Sequence, residues 1–205
     1  TPMSPLPTLR RLLPTLRRLL PALALALSTP GLAAATELTL TPYNPGNDAI
    51  FQVSSVLVSG QREAILIDAQ FGKSQAEQLV ALVRATGKTL TTIYISHGDP
   101  DFYFGLDTVL AAFPRAKVVA TAPTVRHIRD TVDAKLAFWG PKLGADAPRK
   151  AVIPQVLEGD TLTLEGETRR ITGLVGPQPD PSFVWIPSRK AVVGAQNITL
   201  LTPRN

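Results

Sequence analysis

The sequence predicts one domain of the α/β (α+β) class, in which an α/β unit lies between two β meanders. Three observations support this prediction. Short alternating and β-branched runs, separated by Gly and Pro, dominate residues 37–70 and return after residue 150, whereas apolar residues at helical spacing dominate the middle. The chain of 205 residues is 44% hydrophobic and 18% charged, which suits one globular domain with a sizeable core.

The N-terminal segment has the features of a secretory signal peptide. Residues 1–35 contain four arginines and no acidic residue, followed by the apolar run 19–27 and by Ala33 and Ala35 in an A-x-A pattern. We therefore expect cleavage after Ala35 and a periplasmic or secreted protein. An N-terminal membrane anchor is the alternative, which the shortness of the apolar run and its interruption by Pro21 and Pro30 disfavour.

The charge of the chain is concentrated in that segment. Four of the 21 basic residues lie there, which leaves 17 basic against 16 acidic side chains and a net charge of +1 for residues 36–205. This balance argues against nucleic acid as a partner. No phosphate-binding or dinucleotide glycine motif occurs, so we expect no nucleotide cofactor. We expect no stable membrane span after cleavage, and the sequence leaves the oligomeric state open.

The order of elements in the remaining chain follows from local patterns. The helix predicted over 73–87 has Ser74 as its expected N-cap and Gly87 as its stop, and the strand before it ends at Asp68. The other predicted helices cover residues 105–114 and 122–140. Strands are predicted over 37–43, 49–60, 62–70, 89–96, 116–121, 152–158, 161–166, 168–174, 182–188 and 190–195.

The loop that follows the strand 89–96 is the candidate site, because ligands of α/β proteins bind where strands run into helices. His97, Asp99 and Asp101 alternate there, so an extended segment would point an imidazole and two carboxylates to one side, towards a cation. Such a cation would lower the pKa of a bound water. The alternative is a turn followed by an N-cap, with His97 bonded to a backbone carbonyl.

This loop resembles the metallo-β-lactamase superfamily, whose signature is H-x-H-x-D-H followed by a glycine. His97 matches the first histidine, Asp101 the aspartate and Gly105 the glycine, whereas Asp99 and Phe102 replace the second and third histidines. The resemblance covers residues 37–200 and implies an αββα sandwich over 36–205 with a metal site at one edge of its sheets. The family's last ligand would lie beyond Asn205, so this sandwich is expected to be C-terminally incomplete.

The departures from the motif limit the metal site that the resemblance implies. The chain has two histidines, and His127 falls in a predicted helix away from the loop, so the family's usual dizinc centre cannot be built. We expect a mononuclear site with His97, Asp99, Asp101 and Asp180 as ligands. One imidazole with carboxylates makes Mn, Mg or Fe(II) as plausible as Zn.

The three aromatic residues after the motif, Phe102, Tyr103 and Phe104, are candidate walls of a substrate pocket. The favoured alternative is that at least two of them belong to the core.

Two functions follow from this sequence. The first is an exported metal-dependent hydrolase that cleaves an unknown ester, lactone or related small molecule, with Asp101 as its catalytic residue. The second is a catalytically inactive protein of the same fold that binds a small ligand in the degenerate pocket.

Overall fold

The structure is a computed structural model that describes residues 37–173, 181–194 and 197–200. The predicted signal peptide, residues 1–35, and the predicted ligand Asp180 lie outside the described residues. Within those ranges, no helix combines the length and the apolar composition that crossing a membrane requires.

The described strands and helices follow the predicted order, with two elements that were not predicted. A short helix, Pro100–Tyr103, contains Asp101, so the extended segment expected over 97–101 is wrong there, and a further strand covers Asn197–Leu200. The strands are β1 Thr39–Tyr43, β2 Ser55–Ser59, β3 Glu63–Ile67, β4 Thr89–Ile95, β5 Lys117–Ala120, β6 Gln155–Val156, β7 Thr161–Leu164, β8 Glu167–Gly173, β9 Ser182–Ile186, β10 Ala191–Gly194 and β11 Asn197–Leu200. The α-helices are α1 Lys73–Thr86, α2 Pro100–Tyr103, α3 Leu106–Ala112 and α4 Ala122–Leu143. Short 3-10 turns cover Gly46–Asp48, Gly144–Asp146 and Pro187–Arg189.

The strands form two sheets. The first has the order β1-β2-β3-β4-β5-β6, antiparallel from β1 to β3 and parallel from β3 to β6. The second is an antiparallel meander of the order β11-β10-β9-β8-β7. The parallel pairing of β3 with β4 brings Ile67 opposite Tyr94, so the segments after both strands start at the same edge.

The first sheet is buried on both faces, which explains the continuous apolar runs of its central strands. Leu66 and Ile93 pack in one cluster with α1, α3 and α4. Ile65, Ile67 and Tyr94 pack in a second cluster with residues of β7, β9 and β10. The described residues therefore form a layer of helices, a mixed sheet and an antiparallel sheet, and the predicted α/β class is confirmed.

The start of α1 differs from the prediction. Gly72, not Ser74, is the N-cap residue, and its N–H donates to Gln75 Oε1 at 2.8 Å. The N–H and hydroxyl of Ser74 donate instead to Asp146, at 2.8 and 2.7 Å. A carboxylate from a distant turn thus satisfies the first turn of the helix. Gly87 ends the helix in the left-handed conformation, φ +66°, as predicted.

The two sheets are also joined by Glu165, in the turn between β7 and β8. Its carboxylate accepts the backbone N–H groups of Gln61, Arg62 and Glu63, in the turn between β2 and β3. These N–H groups, Arg62 first, lower the pKa of Glu165 below its ordinary value. The contact therefore depends on the ionised carboxylate.

Glu165→Gln is expected to lower the melting temperature by several degrees, because an amide nitrogen cannot accept an N–H bond. A lowered pKa stabilises the folded protein above the ordinary pKa of the carboxyl, and this stabilisation is lost as the pH falls through the folded value. The difference between the two proteins should thus shrink in acid. Calorimetry across pH measures it, with Glu158→Gln, at an exposed position, as the control. Equal effects of both substitutions would contradict the prediction.

Candidate functional site

The candidate site begins with a buried carboxylate at the end of β3. Asp68 is fully buried, and its N–H donates to the Tyr94 carbonyl in β4 at 2.9 Å. Its two oxygens accept the N–H and the hydroxyl of Ser96, at 2.8 and 2.7 Å. Burial raises the pKa of Asp68 to about 7, against the opposing effect of the Ser96 bonds. The ends of β3 and β4 are thus joined through one side chain.

The Ser96 side chain that bonds Asp68 also contacts His97. Its hydroxyl lies 2.8 Å from His97 Nδ1. Since an ionised Asp68 takes the hydroxyl proton, Ser96 Oγ accepts from Nδ1–H, which leaves the lone pair of the ring on Nε2. The opposite arrangement, a serine nucleophile activated by the histidine, is disfavoured because the serine proton is directed at the carboxylate. His97 is therefore oriented through Nδ1 by the side chain of its neighbour.

The second sheet contacts Ser96 through Ser182, the first residue of β9. Its N–H and hydroxyl both donate to the Ser96 carbonyl, at 3.0 Å each. The Tyr94 hydroxyl lies 2.6 Å from Ser182 Oγ and donates to it, since the serine proton is already used. The residue after β4, in the first sheet, and the start of β9, in the second, are therefore bonded to each other at the candidate site.

The two loop carboxylates are in different surroundings. Asp99 is the N-cap residue of α2, but its side chain is 55% exposed and makes an ion pair with Lys135 at 3.4 Å. Asp101, in the first turn of α2, is only 8% exposed. Burial, followed by the charge of Asp99, raises the pKa of Asp101 to about 6, and Lys135 opposes this shift. Asp101 is thus the desolvated carboxylate of the loop.

The three aromatic residues lie in the core. Phe102, Tyr103 and Phe104 are 3%, 0% and 1% exposed and belong to the cluster under the helices. This agrees with the alternative interpretation of these residues and argues against a pocket lined by all three. Phe102 also contacts the loop histidine, because its ring stacks on His97 with centroids 4.3 Å apart. That Phe102 forms one wall of a substrate pocket stays a prediction.

His127 lies against the loop, so its expected separation from the loop was wrong. A Cβ atom placed on Gly98 would lie 2.7 Å from His127 Cγ, which shows that the loop backbone packs directly on the ring. Lys135, two helical turns further along α4, contacts both His127 and the loop. Sequence reasoning missed this lysine. The only signal was its helical spacing from His127, on one face of the predicted helix.

The described residues do not fit a three-ligand metal site made from the loop. Nowhere in the ranges that the structure describes do three His, Cys, Asp or Glu side chains gather around a place for a metal ion. His97 uses Nδ1 to bond Ser96, and Asp99 pairs with an ammonium group. Asp180 lies outside the described ranges, so the four-ligand set stays a prediction.

Gly105 ties the loop to the segment after β3. Its N–H donates to the Gln70 carbonyl at 2.9 Å, and the Ala69 N–H donates to the Phe102 carbonyl at 2.7 Å. A Cβ atom on Gly105 would lie 2.1 Å from the Ala69 carbonyl oxygen. The glycine that matched the family motif is therefore required by a close backbone approach.

Comparison with known proteins gives a consistent result. A family model described as the metallo-beta-lactamase superfamily matches residues 49–194. The BLEG-1 B3 metallo-beta-lactamase is 16% identical with a TM-score of 0.53, over 73% of this chain and 66% of that one. The metallo-beta-lactamase family protein TTHA1429 from Thermus thermophilus is 17% identical with a TM-score of 0.54, over 77% and 58%. A metallo-beta-lactamase from Pontibacter korlensis is 17% identical with a TM-score of 0.53, over 78% and 71%.

These similarities show the fold. This chain spans 58–71% of the length of the three structures. The search of curated proteins returned no match.

Gly105→Ala is expected to destabilise the protein by about 3 kcal/mol, because the new methyl group meets backbone atoms that cannot move independently. Urea unfolding measures this loss. Gly87→Ala is the matched control: its φ of +66° is strained for alanine but its surroundings are open, so we expect a loss of about 1 kcal/mol. If both variants lost the same free energy of unfolding, the close approach of Gly105 to Ala69 would not be what requires a glycine there.

Asp68→Asn is expected to change how stability depends on pH. Between the ordinary pKa of 3.8 and the folded value of about 7, the folded protein keeps a proton that the unfolded chain has lost. The Asp68 contribution to stability is therefore fully present below 3.8 and is lost as the pH rises to about 7. Asparagine does not titrate, so the variant should gain relative to the wild type over this interval. Urea unfolding of both proteins across it provides the test, and a constant difference would contradict it.

Proposed function

Since this chain belongs to the metallo-β-lactamase superfamily, we propose that it is an exported hydrolase that cleaves a small ester, lactone or related substrate beside the loop after β4. The observation that carries this proposal is the environment of Asp101. A carboxyl with a pKa of about 6 is mostly ionised at neutral pH, yet it is basic enough to take a proton from water. These are the properties of a general base.

The proposed reaction assigns one proton transfer to Asp101. Its carboxylate takes a proton from a water molecule while the water oxygen attacks the carbonyl carbon of the substrate. The bond from that carbon to the leaving oxygen then breaks, and the proton passes from Asp101 to the leaving oxygen. The products are a carboxylic acid and an alcohol, which remain one molecule when the substrate is a lactone.

Divalent metal ions are usual in this superfamily, and a single ion held by His97, Asp99, Asp101 and Asp180 stays a prediction. No step above is assigned to it, because the described members of this set do not gather as a metal-binding group. Metal analysis of the purified protein, with and without His97→Ala, tests the prediction for Zn, Mn, Mg and Fe. Less than about a tenth of an equivalent of each metal in both proteins would contradict it.

Asp101→Asn is expected to reduce kcat by a factor of about 10²–10⁴, because the amide cannot take the proton. The measurement is hydrolysis of a panel of aryl esters, lactones and phosphoesters by the purified full-length protein. The melting temperature should change little, because asparagine has nearly the same shape.

Asp107→Asn is the matched control, because Asp107 is also a buried carboxylate, at 4% exposure, but lies in α3 and bonds the Arg149 backbone. It should leave kcat unchanged. Equal loss in both variants, or turnover that survives Asp101→Asn, would refute the role of Asp101. Binding of panel compounds without turnover of any would favour the inactive binding protein instead.

A further inference from the structure

One face of α4 lies over the loop after β4. His127, Thr131 and Lys135 follow each other at four-residue spacing on this face, and the Thr131 hydroxyl bonds the His127 carbonyl at 2.7 Å. The loop backbone at Gly98 packs on the His127 ring, where no Cβ atom would fit. The helix and the loop are thus in direct contact.

The Lys135 ammonium lies at this contact. Its Nζ is 2.8 Å from the Gly98 carbonyl oxygen, 3.1 Å from His127 Nε2 and 3.4 Å from Asp99 Oδ1. Only 17% of the side chain is exposed. Because an ammonium group has three protons and no lone pair, His127 Nε2 must accept. Three acceptors of different chemistry therefore converge on one cation.

These acceptors are also of the kinds that bind metal ions. A backbone carbonyl and a carboxylate suit Mg²⁺ and Mn²⁺, and an imidazole nitrogen suits Zn²⁺ as well as other transition metals. The ammonium group supplies one positive charge to these acceptors. Unlike a bound metal ion, it needs no strict coordination geometry and cannot dissociate into solvent. It lies beside a loop that contains Asp99 and Asp101.

We propose that Lys135 is the built-in cation of this loop: its ammonium holds the place, between the Gly98 carbonyl, the Asp99 carboxylate and the His127 imidazole, where a divalent metal ion would otherwise bind. The chain therefore contains a latent metal site that shares Asp99 with the predicted set around His97 but takes its imidazole from His127, and Lys135 blocks it. This inference does not depend on hydrolysis, because it concerns what neutralises and orders the loop.

Lys135→Met tests the inference, because methionine has a similar length and no charge. In the presence of a chelator we expect its melting temperature to fall by several degrees, since Asp99 and His127 lose their cation. Added Zn²⁺ or Mn²⁺ should restore it. Equilibrium dialysis of the full chain should find about one equivalent more metal on Lys135→Met than on the wild type.

Two further proteins identify the ligands. Lys135→Met combined with His127→Gln should be destabilised but should bind no additional metal, because the imidazole is gone. Lys142→Met, in the last turn of the same helix, removes an ammonium that bonds the Phe138 carbonyl and lies 3.5 Å above the Phe138 ring. It should gain no metal.

The deciding quantity is the metal bound by Lys135→Met beyond that bound by the wild type. No additional metal, or additional metal that persists without His127, would overturn the inference and leave Lys135 as a structural hydrogen-bond donor only. If Lys135→Met does not fold, Lys135→Gln answers the same question, because its amide keeps one donor for the Gly98 carbonyl and still lacks the charge.

Discussion

The geometry of this edge of the protein depends on the buried carboxylate of Asp68. A carboxylate without water is costly unless hydrogen bonds replace those of the solvent, and Ser96 supplies two. Asp68 also has a left-handed backbone, with φ +63°, as does Gln70, with φ +72°. Conformations of this kind cost about 1–3 kcal/mol each in non-glycine residues. The Gln70 side chain offsets part of this cost by bonding Val53 and Ser55.

This strained turn determines where the motif residues lie. Within it, the Ala69 N–H donates to the Phe102 carbonyl and the Gln70 carbonyl accepts the Gly105 N–H. These bonds hold the end of the loop against the core. The three aromatic side chains are therefore buried, whereas His97 is half-buried and Asp99 is exposed. Asp101 lies between these two groups, and its desolvation is a consequence of that position. The chemistry proposed for it therefore originates in the packing of its neighbours.

What the sequence could predict was local. The apolar runs of β3 and β4, the spacing of buried residues in α1 and the stop at Gly87 each depend on residues within one element, and these predictions are confirmed. The prediction of Ser74 as the N-cap of α1 was wrong, because Asp146, from a turn far along the chain, accepts the Ser74 N–H. His127 was placed away from the loop for the same reason: a helical pattern shows which residues share a face, but not what that face covers. The helical spacing of Lys135 from His127 shows that the two share a face, but not that Lys135 contacts the loop.

The motif itself illustrates this limit. Counting histidines predicts that the family's usual dizinc centre is not built from this sequence, but it does not predict which cation the remaining acceptors bind. A carboxylate raises the pKa of a second carboxyl in the same loop, as Asp99 does for Asp101, and a nearby positive charge opposes the effect. Here that charge comes from α4, and the same ammonium also bonds His127 and the loop backbone. A loop with carboxylates at these motif positions therefore need not carry an uncompensated negative charge, since a lysine on a packed helix can balance it.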